Sequence, residues 1–208
     1  MEDVLEVYQR HKDDTNPIVC VDETSKQHIK ETRKPLPIVE GLPHRYDYEY
    51  QRNGVSNMFM IFAPLAGFRH IEVTDTRTSI DFAHICRDIV DVHFPDAQKI
   101  TLVCDNLNTH KPSSLYKTFQ PDQARRIAKK LEFHYTPKHG SWLNMAEIEL
   151  SVLTRGCLSR RIADQETLKQ EIQAWQTQRN EKQANISWRF TTDEARIKLK
   201  RLYPSISA

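Results

Sequence analysis

KITLVCDN, Lys99 to Asn106, is an apolar run rich in β-branched residues that stops at an aspartate, Asp105, and IVCVDET, Ile18 to Thr24, repeats the pattern around Asp22. Runs of this composition read as buried strands. An aspartate at such an end stands where the strand meets solvent, so its carboxylate is held rigidly without being desolvated in the core. A glutamate follows inside SWLNMAEIEL, Ser141 to Leu150. Hard divalent cations such as Mg²⁺ prefer oxygen donors, and a pair about 4 Å apart can clamp the attacking and leaving oxygens of a phosphoryl displacement. Aspartates also begin turns in many proteins. It is the conjunction that points to phosphodiester chemistry: two similar strands, and a polar turn DNLNTH whose Asn106, Asn108 and His110 can orient water or phosphate oxygens.

Composition is compatible with this. The 208 residues suffice for one substantial core. Hydrophobic content of 38%, charged content of 28% and a mean hydropathy of −0.65 describe a polar-surfaced chain. No apolar run approaches the roughly 18–20 residues of a membrane span and no signal pattern opens the chain, so a cytoplasmic location is expected. Cys20, Cys86, Cys104 and Cys157 show no C-x-x-C spacing and read as packed thiols. The histidines lack zinc-site spacing.

Four segments carry a family resemblance: VCVDETSKQ (Val19 to Gln27), RNGVSNMFMIFAPLAGFRHIEVTDTRT (Arg52 to Thr78), LVCDNLNTHKPSSLY (Leu102 to Tyr116) and YTPKHGSWLNMAEIELSVLTRGCL (Tyr135 to Leu158). Together they resemble the catalytic domain of IS630-type transposases, in the IS630/Tc1/mariner group of DDE transposases. The resemblance implies catalytic, metal-holding roles for Asp22, Asp105 and Glu147. Asn144-Met145-Ala146-Glu147 stands where Tc1-like relatives have Asn-Pro-Ile-Glu, without the proline. Glu149 is the rival third acid. At 100° per residue the two glutamates lie about 200° apart on a helix. The apolar stripe Leu143, Ala146, Leu150, Leu153, Cys157 falls between them, so periodicity leaves the choice open and the tetrad selects Glu147. Glu149 and Glu23 then read as supporting or solvated charges.

The resemblance further implies two Mg²⁺ ions, with Mn²⁺ able to substitute, and a double-stranded DNA substrate comprising terminal inverted repeats and a TA-containing target. It also implies a homodimer at synapsis, in a bacterial cytoplasm. Relatives carry helix-turn-helix modules ahead of the catalytic domain. The whole chain reads as a single such domain with its core at about 16–160, C-terminal helices at about 164–203, and the N-terminal DNA-binding region absent.

Net charge is only +2, but a basic band follows the second aspartate: Lys111, Lys117, Arg125, Arg126, Lys129, Lys130 and Lys138 against Asp122 and Glu132. Solvated helix faces account for such runs in many proteins. Beside carboxylates that repel phosphate, these bases, Lys117 apart, together with Arg155 are candidate walls of a DNA groove. Asn106, His110, His139 and Asn144 are candidates for orienting the acids, water or phosphate.

The element pattern fits an α/β, RNase H-like fold of the retroviral-integrase type, a mixed five-stranded sheet flanked by helices. Strands are expected at Ile18–Glu23, Ser56–Pro64, Arg69–Thr74, Lys99–Cys104 and Glu132–Thr136, the second and third joined as a hairpin at Leu65-Ala66-Gly67. A loop rich in Pro35, Pro37, Gly41 and Pro43 follows the first. Helices are expected through Phe82–Val92, Gln123–Leu131, after a Ser141 cap, through Leu168–Trp175 (as core or interface), and from a Thr191-x-x-Glu194 capping box. The resemblance puts Asp22 and Asp105 on adjacent strands. Two other functions compete with a transposase: a host RNase H-like nuclease, and a catalytically silent fragment that modulates transposition by binding DNA or oligomerising.

Overall fold

The computed structural model describes residues 1–33, 40–41, 48–138 and 140–203. Five strands, β1 (Ile18–Glu31), β2 (Tyr50–Ala63), β3 (Phe68–Thr74), β4 (Ile100–Cys104) and β5 (Leu131–Tyr135), form one sheet in the order β3-β2-β1-β4-β5. The β1–β2 and β2–β3 pairs are antiparallel, and β1, β4 and β5 run parallel. Around the sheet lie α1 (Glu2–Tyr8), α2 (Ser79–Asp88), α3 (Ser113–Thr118), α4 (Pro121–Lys130), α5 (Met145–Leu153), α6 (Gln165–Glu181) and α7 (Thr192–Lys198). The mixed, helix-flanked five-stranded sheet expected from the sequence is thus the one found. No helix among the described residues is long and apolar enough to cross a membrane.

Alternation along the central strands sorts their side chains onto two faces, because successive residues of a strand point to opposite sides. Ile18, Cys20, Met58, Met60, Phe62 and Val103 meet residues of α1, α5, α6 and α7. Val19, Val21, Phe59, Ile61, Leu102 and Cys104 meet α2, α3 and α4. Burial on both faces explains why the β1 start and β4 are unbroken apolar runs. All four cysteines are buried free thiols.

Several boundaries differ from the expectation. β1 continues to Glu31 and β2 begins at Tyr50, because polar residues there pair as a ribbon from Ser25↔Asn57 to Glu31↔Tyr50. That ribbon leans on the chain after α5, with Lys26 Nζ donating to Leu158 O (2.6 Å), Ile29 N to Ile162 O (2.7 Å) and Asn53 Nδ2 to Ala163 O (2.7 Å). Its residues are stabilised by backbone pairing rather than apolar burial, so no hydrophobic run announces it. Pro35, Pro37 and Pro43 lie outside the described residues. The helix read at Gln123–Leu131 starts instead at Pro121, a favoured first helical residue, and ends at Lys130. β5 accordingly begins at Leu131. The short helices α1 and α3 were not expected.

The hairpin turn falls where expected. Gly67 has φ +64°, and a Cβ there would come within 2.7 Å of the Gln183 backbone. The outer edge of β3 is closed by α6: Asn180 Oδ1 accepts from Arg69 N (2.9 Å), its Nδ2 donates to Arg69 O (2.8 Å), and Gln176 Oε1 accepts from Ile71 N (3.0 Å). Side-chain amides here take the place of a sixth strand, which removes an exposed edge. Trp175, on the same helix, packs against the core and under the Arg179 guanidinium, 5.3 Å from its ring centroid.

Of the two readings of Glu149, a supporting or a solvated charge, the solvated one is overturned. The Glu149 side chain is 0% exposed, paired with Arg69, itself 0% exposed, at 2.9 Å. Arg179 donates to both carboxylate oxygens, at 2.6 and 3.0 Å. Arg69 also donates to Gly67 O (3.1 Å) and to Ala184 O, and lies over Phe62. This ionic cluster joins α5, β3 and α6. Removing one member strands the others in an apolar layer, so Glu149→Ala is expected to cost about 3–5 kcal/mol, read from urea denaturation. A Glu149→Ala variant whose stability stays within about 1 kcal/mol of wild type, on the order of a surface substitution, would contradict this account.

Candidate active site

Parallel pairing between β1 and β4 aligns Val21 with Cys104. The next residues, Asp22 and Asp105, therefore stand side by side where β4 ends and its pairing with β1 stops, while β1 itself runs on to Glu31. Both are half-buried. Glu23 N donates to Asp22 Oδ1 (2.8 Å) and Thr136 Oγ1 to Asp105 Oδ1 (2.9 Å). Thr136 is itself fixed by its N–H on Cys104 O (3.0 Å).

Glu147 reaches this corner from the first turn of α5. The helix is capped by Asn144, not by Ser141, which belongs to a preceding 3₁₀ turn, Ser141–Leu143. Asn144 is fully buried. Its Oδ1 accepts from Ala146 N (3.1 Å) while its Nδ2 donates to Val21 O (2.8 Å), the residue before Asp22. One side chain thus caps the helix and ties it to β1. Gly140 serves by its size: its φ is an ordinary −118°, but a Cβ would fall 2.5 Å from the Pro137 ring. Glu147 is exposed, and its carboxylate has no hydrogen-bond or ion-pair partner among the described residues.

Among the described residues no salt bridge compensates Asp22, Asp105 or Glu147. Burial pushes the Asp22 carboxyl up to about 7, with further contributions from the negative charges of Asp105, Glu23 and Glu147. Hard oxygen donors with excess negative charge suit a divalent cation of the Mg²⁺ class. Among the described residues no three His, Cys, Asp or Glu side chains converge tightly enough to ligate one ion as they stand. Asp22 and Asp105 are the preformed pair, and the unpartnered Glu147 carboxylate is the one free to close in.

His110 does not face solvent. It is 1% exposed, stacked on Phe82 with ring centroids 4.5 Å apart. Nδ1 lies 3.1 Å from Asp105 O and Nε2 lies 2.8 Å from Glu23 Oε2. Burial opposes its charged form, but the Glu23 hydrogen bond and charge outweigh this and raise its pKa. Glu23 is therefore bound inward, which fits the supporting and not the solvated of its two readings, and together with His110 it bridges β1 to the loop that follows β4. The role of Thr136 was not recognised in the sequence. Thr136 could have been suspected, as a hydroxyl residue just before Pro137 at the end of the fifth strand run.

The bases divide into two groups. Lys111 donates to Asn106 Oδ1 and lies 4.5 Å from the Tyr135 ring centroid. Exposed Lys138 lines a cleft of about 430 Å³ with Asp105, Asn106, Leu107, Thr136, Pro137 and Ser141. Leu107 and Trp142 stand 46% and 39% exposed on the two loops flanking the acids. The α4 bases are elsewhere. Lys130 Nζ donates to Pro95 O (2.7 Å), and Lys99, just before β4, donates to Lys129 O (2.9 Å). Arg126 is clamped by Asp91 at 2.6 and 2.8 Å. Lys129 and Lys130 thus mark the end of the sheet where β4 and β5 begin, opposite the acids, while Arg125 projects from the exposed side of α4. Arg155 donates to Ser151 Oγ (2.6 Å) on the turn that continues α5. His139 lies outside the described residues.

Residues 17–169 match the family described as DDE superfamily endonuclease. Similar solved structures include the Mos1 mariner paired end complex with Mn, at a TM-score of 0.60 and 16% identity over 87% of this chain and 54% of that one. The Mos1 transposase paired-end complex with left transposon end follows at 0.56 and 15% over 87% and 58%. A pre-cleavage Mos1 transpososome gives 0.55 and 16% over 87% and 58%. The chain spans little more than half the length of these relatives, and at such identities the likeness is one of fold. No curated protein matches.

Two titrations in this corner make stability fall with rising pH in the absence of metal. For Asp22, whose folded pKa is raised from 3.8 to about 7, the contribution is complete below 3.8 and lost as pH passes 7. For His110, raised from 6.5, it is complete below 6.5 and lost above that. His93, which burial lowers from 6.5 to about 4, works the other way, its contribution growing as pH rises from about 4 to 6.5. The comparison that isolates the acid is therefore Asp22→Asn against wild type in chelator: the melting temperature of the variant minus that of wild type should grow between about pH 4 and 7, and Mg²⁺ should shrink the difference at the alkaline end. A difference that stays level or shrinks across this range without metal would refute the charge assignment.

Proposed function

Because the chain belongs to the DDE superfamily endonucleases, we propose that it is the catalytic domain of an IS630/Tc1/mariner-type transposase. It would cleave DNA at the transposon's terminal inverted repeats and join the freed 3′-hydroxyl to a TA-containing target. The observation that carries this reading is the uncompensated carboxylate pair, Asp22 beside Asp105, with unpartnered Glu147 on the helix tied to the same strand.

Asp22, Asp105 and Glu147 would hold two Mg²⁺ ions, or Mn²⁺ in their place. When bound, such ions supply the Lewis acidity that activates the attacking oxygen and steadies the leaving one. The chain's own residues do the positioning. Thr136 and the Glu23 amide each occupy one carboxylate oxygen of Asp105 and Asp22, which leaves the second oxygen of each without a hydrogen bond among the described residues. Glu23 and His110 brace β1 against the loop that follows β4. Lys111 and Lys138 neutralise phosphates flanking the scissile one, and exposed Leu107 and Trp142 lie against the sugar–base side of the strand. Arg155 extends the contact along the ribbon side, and the α4 bases Arg125, Arg126, Lys129 and Lys130 meet only DNA that continues past the acids to the far end of the sheet. Two ends are cut by two copies acting as a dimer on DNA in the bacterial cytoplasm.

Nicking of a supercoiled plasmid carrying inverted-repeat ends, in Mg²⁺ or Mn²⁺, tests this. Asp105→Asn and Glu147→Gln should each lower nicking by about a hundredfold or more while leaving the melting temperature equal to or above wild type. Metal-dependent nicking that survives Asp105→Asn would sink the assignment. Among the bases, Lys138→Ala should lower the salt dependence of DNA binding by about one phosphate contact, whereas Lys129→Ala should not change cleavage.

A further inference from the structure

We infer that Tyr8, on a helix outside the family-matched segment 17–169, is a positioning residue that sets Glu147 against Asp22; this rests on the metal reading above. Tyr8 is 4% exposed on α1. Its hydroxyl accepts from Met145 N, the first amide of α5, at 3.3 Å, and lies 3.5 Å from Cys20 Sγ on β1, two residues before Asp22. Since the Met145 N–H donates to the hydroxyl oxygen, the phenolic proton is left for the sulfur. One hydroxyl therefore joins the strand that carries Asp22, the helix that presents Glu147, and α1.

The first turn of a helix has amides with no partner inside it. In α5 each of the first three is satisfied by a group that bears on Glu147. Met145 N bonds to Tyr8, Ala146 N to the Asn144 side chain at 3.1 Å, and Glu147 N to Asn144 O at 3.0 Å. Asn144 ties this turn to Val21, and Tyr8 ties it to Cys20. Without the Tyr8 hydroxyl the buried Met145 amide keeps only the Cys20 sulfur, a weak acceptor, and the turn improves its pairing only by moving, which carries Glu147 with it.

α1 is itself held from outside the site. Asp3 Oδ2 lies 2.8 Å from His134 Nδ1 on β5, and Glu2 pairs with Arg196 on α7 at 2.9 Å. Tyr8 also packs on Trp188, ring centroids 5.6 Å apart. Tyr8→Phe keeps that ring and its burial and deletes only the hydroxyl.

The test is a Mn²⁺ titration of the full chain with a short double-stranded oligonucleotide, free Mn²⁺ being counted by electron paramagnetic resonance and Asp105→Asn serving to define site binding. Tyr8→Phe should weaken site binding by about tenfold, the scale on which groups that hold a metal ligand in place act, whatever fall in melting temperature in chelator the weakened Met145 pairing brings. Ile172→Val, in the same core layer but remote from α5's first turn, should lower the melting temperature and leave Mn²⁺ binding unchanged. Wild-type affinity in Tyr8→Phe, while Asp105→Asn has lost the site, overturns the inference alone. Equal weakening in Ile172→Val also overturns it, because general loosening of the core would then suffice. Wild-type uptake no greater than that of Asp105→Asn overturns the metal reading and this inference together.

Discussion

Like-charge repulsion among Asp22, Asp105 and Glu147 is the constraint around which the rest of the molecule is arranged. Carboxylates brought together at a half-buried edge favour separation, and no basic side chain lies among those that shift Asp22. Their proximity must therefore come from elements that cannot yield. The register of β1 on β4 is one. Both strands are buried on two faces here, so a slip by one residue would turn every apolar side chain into the wrong layer. Asp22 and Asp105 are neighbours because Val19, Val21, Leu102 and Cys104 have nowhere else to go.

Around that pair, polar groups act as braces. Thr136 holds Asp105 from β5, and His110 and Glu23 cross between β1 and the loop that follows β4. Each bond joins an acid, or its neighbour, to an element that is itself buried, so the electrostatic strain is passed into the core rather than relieved by a local shift. The Asp22–Asp105 pair is thereby held in place for the proposed cation, whose binding would convert repulsion into attraction.

How much of this was legible follows from where the information resides. The apolar start of β1, β4 and the aspartates that follow them were visible because burial on both faces leaves an apolar run with a charge at its end. The hairpin was visible through Gly67 and the last helix through Thr191 and Glu194, local signals that need no partner. The β1–β2 ribbon was not, since its residues are polar and its stability lies in ladder bonds to a strand far along the chain. α1 and α3 span barely two turns, too little for periodicity to register. The α4 bases read as part of the site because they follow Asp105 in sequence, but α4 returns to the opposite end of the sheet to start β5. The role of Tyr8 was invisible, for it consists of one hydroxyl meeting an amide 137 residues away.

Glu149 shows the same limit and supplies what periodicity lacked. Two glutamates two residues apart on a helix face nearly opposite ways, and periodicity alone could not say which faced the acids, a choice the resemblance made for Glu147. Arg69 comes from β3 and Arg179 from α6, and both guanidiniums converge on Glu149 beneath the helix. Taking that ion pair apart would strand charges in the apolar layer, so the rotation of α5 about its own axis is locked. With Glu149 turned inward, a step of about 200° leaves Glu147 outward, above β1. A cluster that makes no contact with the candidate metal site thereby determines which carboxylate the site receives.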